Sequence, residues 1–140
     1  MIMLTNEPAL SPWQPLSGRR VRRISRSNER ADDSGAGGVL KVCTINVGTL
    51  VGRGRELVAM LTKRKIDMCC IQEVRYRNQG CTTIGGGDDK YKLWYSGGQE
   101  KKNGVGILMR AELTDSVIEV HRYDDRMMRI KMVIGKKIWN

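Results

Sequence analysis

The sequence predicts an α/β fold organised on one βαβ unit, and three observations predict it. Leu40–Val47 and Ile66–Glu73 are apolar runs of strand length. Between them, a glycine-rich turn from Gly48 to Gly54 leads into Glu56–Lys65, whose Leu57, Val58 and Leu61 share one helical face. Met68–Ile71 is unbroken in apolarity, as a parallel strand buried on both faces should be. Strand, crossover helix and strand in this order run parallel through a right-handed crossover, with their C-terminal ends on one edge of the sheet.

Before this unit, Met1–Gly38 has no apolar periodicity, holds all three prolines, and closes on Asp-Asp-Ser-Gly-Ala-Gly-Gly. It is expected to be a disordered basic tail and linker, leaving residues 39–140 as the folded part. Its Arg19–Arg26 cluster reads first as a solvated basic run, and second as a nuclear-import signal or a loose phosphate-binding arm. Within the unit, the first strand delivers Asn46 and the second delivers Gln72 and Glu73. Asn46 and Glu73 should arrive side by side, where open α/β sheets bind ligands. Arg75–Lys90 is polar and glycine-rich and is expected to be a long loop. The aromatic run Tyr91–Ser96 predicts a strand, Gly97–Gly104 a turn, and Val105–Arg110 the returning strand. Val117–Arg122 and Met127–Ile134 predict a hairpin around Asp124 and Asp125. In its second arm Met128, Ile130 and Met132 alternate with Arg129 and Lys131, so that one face is buried and the other basic. A turn at Gly135 then starts a further strand, Ile138-Trp139-Asn140.

The chain has 140 residues and 15.8 kDa, room for one domain. A net charge of +10 and a pI of about 9.8 favour an anionic partner, nucleic acid first and an acidic membrane surface second. In the tail six arginines face four acids, so most of the excess belongs to the folded part. No apolar run spans a bilayer, and Glu7, Pro8 and Pro12 interrupt any secretory core. The expected compartment is intracellular, the nucleus ahead of the cytoplasm. Cys43, Cys69, Cys70 and Cys81 lack Cys-x-x-Cys spacing, and His121 alone does not complete a zinc site. The cysteines read as small core hydrophobes in a reducing compartment.

Glu73 with Asn46 beside it offers hard oxygen ligands. Mg²⁺ accepts one or two carboxylates, keeps several waters, and completes its shell with substrate phosphate. On a positively charged protein this combination suits a phosphodiester site. The competing reading is an exposed strand-end glutamate beside a turn-forming asparagine. A third is a Rossmann fragment, because Gly48, Gly52 and Gly54 lie between strand and helix and Glu73 falls where a ribose-binding acid would. The hairpins after Glu73 argue against it, and a P-loop motif is absent.

Four segments occur in a family order: Asn46-Val47-Gly48-Thr49-Leu50, Cys70-Ile71-Gln72-Glu73-Val74-Arg75, Asn103-Gly104-Val105-Gly106-Ile107-Leu108 and Asp125-Arg126-Met127. Together they resemble the endonuclease/exonuclease/phosphatase superfamily, in particular the endonuclease domains of non-long-terminal-repeat retrotransposons and the craniofacial development protein 2-like proteins. The resemblance covers Leu40 to Asn140. It implies a four-layer α/β sandwich of two sheets between helices, and Mg²⁺- or Mn²⁺-dependent hydrolysis of DNA phosphodiesters. It implies that Glu73 ligates the metal, that Asn46 positions metal-bound water and phosphate, and that Gln72 braces them. For Arg75, Asn103 and Arg126 it implies phosphate contact or loop packing. Ile45 stands where many relatives carry Trp. The family's later segments, a catalytic Tyr, an Asp-x-Asn and an Asp-His pair, have no counterpart here, and His121 is no substitute. The expectation is therefore the N-terminal half of such a domain, inactive by itself or a non-catalytic nucleic-acid-binding remnant. Half a sandwich leaves a sheet face and an edge uncovered, so self-association is expected.

Overall fold

The computed structural model describes residues 39–140 together with two short strands near the start, β1 (Ile2–Met3) and β2 (Asn6–Glu7). The βαβ unit is β3 (Val42–Asn46), α1 (Gly54–Lys63) and β4 (Met68–Gln72). β3 and β4 pair in parallel, and Asn46 is the register partner of Gln72. α1 buries Leu57, Val58 and Leu61, with Glu56 in its first turn and Lys63 in its last, the polarity that suits the helix dipole. The helix stops two residues before the expected Lys65. Lys65 adopts a left-handed φ of 54°. Its N–H donates to the Thr62 carbonyl and the next N–H, from Ile66, to the Leu61 carbonyl. This is a Schellman closure made without glycine.

One strand more than expected follows the βαβ unit, and it lies in the segment read as a loop. Gln79–Gly86 is a strand, β5, paired at all eight positions with β6 (Asp89–Ser96). A two-residue Gly87-Asp88 turn joins them, with Gly87 at φ 60° supplying the positive first dihedral of a tight hairpin. The loop expectation for Arg75–Lys90 is therefore corrected to a short connection followed by an edge strand. β7 (Val105–Arg110) lies between β4 and β6, which completes a five-stranded sheet in the order β3-β4-β7-β6-β5. Only β3 and β4 in it are parallel.

A short 3-10 helix, Ala111–Ser116, carries the chain to the second sheet. There β8 (Val117–Arg122) pairs with β9 (Met128–Ile134), and β10 (Lys137–Trp139) returns antiparallel along β9. β1 joins β9 and β2 joins β10, so these two pieces of the expected tail are sheet strands, and the rest of that tail lies outside the described residues.

Two apolar clusters fix the layers. One lies between α1 and the first sheet and includes Leu57, Leu61, Ile71, Tyr91, Leu93 and Leu108. The other lies between the sheets, where Met68, Trp94, Ile107 and Met109 meet Met128, Ile130 and Met132. The described residues thus stack as helix, sheet and sheet. The alternation expected in β9 is present: Met128, Ile130 and Met132 are buried, whereas Arg129 and Lys131 lie on the outer face. Ile118 and Val133, 55% and 37% exposed, are apolar residues without full cover.

Candidate active site

Parallel register places Asn46 and the end of β4 together on one sheet edge. Immediately past that edge the chain turns through two left-handed residues, Glu73 at φ 58° and Arg75 at φ 57°. Neither is glycine, and such backbone persists only where surrounding structure holds it. The holding bonds are visible. Val47 N–H donates to the Gln72 carbonyl, Leu50 N–H to Val74, Val74 N–H to Gly104, and Arg75 N–H to Asn103. Val74, between the two, is fully buried.

The turn brings three side chains into one cluster. Asn46 Nδ2 donates to Glu73 Oε1 at 2.8 Å, and Asn46 Oδ1 accepts from Gly48 N–H at 2.9 Å. The guanidinium of Arg75 reaches Glu73 Oε2 at 3.3 Å. The Asn46 amide foremost, opposed by desolvation and helped by Arg75, holds the Glu73 carboxyl below the usual carboxylate value. Glu73 is thus ionised and partly open to solvent. Gln72 donates from Nε2 to Thr44 Oγ1 at 2.8 Å, tying β4 to β3 one layer behind the site.

Asn103 is committed to the loops. Its Nδ2 donates to Asp125 Oδ2 at 3.0 Å and its carbonyl receives the Arg75 N–H. Arg126 lies in the β8–β9 turn, where its N–H donates to Asp124 Oδ1. His121 lies on β8 in the other sheet, 3.8 Å from the Glu119 carboxylate, its ring centred 4.4 Å from that of Tyr123 and tilted 47° to it. The structure therefore brings Asn46, Glu73 and Arg75 together and keeps His121 out. Thr44 and Asp125 were missed in the sequence. Thr44 gave no signal, and Asp125 stood in a noted segment whose partner, Asn103, is far away in the chain.

Beside Asn46 a cleft of about 240 Å³ opens between β3 and α1, floored by Leu50, Leu57 and Met60 and rimmed by Thr49, Arg53 and Glu56. The donor set of the site is one carboxylate and one amide. Each Glu73 oxygen makes one hydrogen bond and keeps a lone pair for a cation. That fits a hydrated Mg²⁺ or Mn²⁺ shared with a phosphate, and does not fit a closed zinc centre. Among the described residues no three His, Cys, Asp or Glu side chains gather as a metal cluster.

Compared with known proteins, the chain matches no protein-family model and no curated protein. No helix among the described residues is long and apolar enough to cross a membrane.

Proposed function

We propose that this chain contributes the metal- and phosphate-binding part of a Mg²⁺- or Mn²⁺-dependent endonuclease site acting on DNA, on a sheet pair of the endonuclease/exonuclease/phosphatase type. The observation that carries the reading is the Asn46–Glu73 hydrogen bond at the ends of adjacent parallel strands, with Arg75 on the second carboxylate oxygen. In this reading Glu73 holds the cation, which when bound neutralises phosphate charge and stabilises the leaving oxygen. Asn46 keeps Glu73 ionised and oriented, and Gln72 with Thr44 fixes the strand spacing behind it. Arg75, beside the Glu73 carboxylate, would contact phosphate. Asn103 serves by holding the Arg75 loop. No general base is assigned.

The rival of different class is a nucleic-acid binder without catalysis, supported by the outward Arg129 and Lys131 and the net charge of +10. A Rossmann site is disfavoured by the antiparallel partners on the far side of β4.

Three measurements test the proposal. Mn²⁺ binding followed by electron paramagnetic resonance should be present in the 140-residue chain and lost in Glu73→Ala. Binding to duplex DNA should weaken steeply as salt rises, in both proteins. Metal binding indifferent to Glu73→Ala overturns the site. A flat salt dependence overturns the nucleic-acid partner, and Glu73-dependent nicking of supercoiled plasmid in Mg²⁺ would decide for catalysis over mere binding.

A further inference from the structure

Cys43 and Cys69 are register partners on β3 and β4. Adjacent strands lie about 4.8 Å apart, and register partners project to the same face. That spacing falls within the Cα separation of roughly 4.4–6.8 Å that a disulfide spans. Here the shared face is the one under α1, where Cys69 is fully buried and Cys43 packs on the same cluster. β3 is the edge strand of its sheet, so Cys43 keeps a partly open side.

The two thiols share one face of the sheet and perturb one another: the neighbouring Cys69 holds Cys43 below the usual thiol value, and Cys43 pushes Cys69 up, with burial adding to the rise. Cys69 Sγ lies 3.8 Å from the Cys70 carbonyl. The other two cysteines differ. Cys70 belongs to the opposite face of β4 by strand alternation, and burial first, then Cys43, pushes its thiol up to about 11. Cys81 is exposed on β5, at the far edge of the sheet.

We propose that Cys43 and Cys69 are an oxidisable dithiol, a modification site at which a hydroperoxide drives closure of a disulfide across β3 and β4. The reaction runs in two steps. The Cys43 thiolate attacks the peroxide oxygen, forming a sulfenic acid and releasing hydroxide when hydrogen peroxide is the oxidant. Cys69 then attacks the Cys43 sulfur, the sulfur–sulfur bond forms, and the sulfenic hydroxyl leaves as water with the Cys69 proton. Two thiols are oxidised and one peroxide is reduced to water and hydroxide. Cys43 is suited to the first step by its access and thiolate character, and Cys69 to the second by its position. The bond would lock the register that sets Asn46 beside Glu73, a consequence independent of whether that pair binds metal.

The experiment is peptide mapping of the reduced full chain after hydrogen peroxide, with free thiols alkylated in denaturant. The expected product links Cys43 to Cys69 with loss of two hydrogens, leaves Cys70 alkylated, and persists in Cys81→Ser. In Cys43→Ser the Cys69 thiol should stay reduced. Hydrogen exchange of β3 amides should slow roughly tenfold or more in the linked protein, since a cross-link restrains local opening. Cys43 recovered as a thiol, or as sulfinic acid with Cys69 still free, overturns the proposal. So does a link to Cys70 or Cys81, a link that forms only in denaturant, or unchanged exchange in β3.

Discussion

Asn46 has one side-chain amide, and both ends of it are committed. Its oxygen closes a turn onto Gly48 N–H and its nitrogen holds Glu73, so orientation and charge state are set by one group. Asn46→Ala should raise the Glu73 pKa toward the ordinary value, read from the Glu73 side-chain resonance in an NMR titration. The same variant should bind Mn²⁺ roughly ten- to a hundredfold more weakly, the usual loss for an outer-shell partner. The sign of the pH effect follows. Glu73 is depressed in the folded protein, so its contribution is present above the unfolded value of about 4.3 and fades as pH falls through the folded one. The stability gap between wild type and Asn46→Ala, measured in urea, should therefore narrow on the acid side. Backbone geometry makes an opposing forecast. Glu73 adopts a φ of 58°, a region glycine enters freely. Glu73→Gly should have a higher urea midpoint than Glu73→Ala while both lose metal binding. Equal midpoints would mean that the turn is unstrained.

At the level of elements, the closure of α1 shows what a sequence hides. Lys65 occupies a left-handed position that glycine normally fills, and no residue there announces the end of the helix. Lys65→Gly should stabilise the protein by about 0.5–1 kcal/mol in urea unfolding, because the side chain gains nothing from that conformation. β3, β4, β6, β7, β8 and β9 were legible because their apolar residues either run together or alternate with period two. β5 was not legible. Gly80, Gly85 and Gly86 look like loop, and an edge strand with one face in solvent needs few apolar residues. The meeting of Asn46 and Glu73 was legible because parallel pairing alone aligns strand ends. The left-handed turn at Glu73 and Arg75 was not, since it is held by Leu50, Asn103 and Gly104 from outside the local sequence.

Across the whole molecule, the two sheets meet through a methionine-rich layer and through polar bridges at one rim. Arg122, from β8, donates to the Tyr95 and Gly80 carbonyls of the other sheet at 3.0 and 2.9 Å. Arg122→Met keeps the stem and removes both bonds, and should cost about 1–3 kcal/mol in urea unfolding. Ser96 Oγ donates to the Asp124 carbonyl at 2.6 Å, and Asp125 binds Asn103 and the Gly104 N–H from the same turn. That last bridge bears on how the molecule ages. Asn-Gly is the dipeptide most open to deamidation, because an unhindered glycine nitrogen can attack the asparagine side chain. Here the Gly104 N–H is spoken for by Asp125, and so is the Asn103 amide. Ammonia should leave Asn103 only while the sheets are apart, so its slow loss in storage would serve as a clock for their separation.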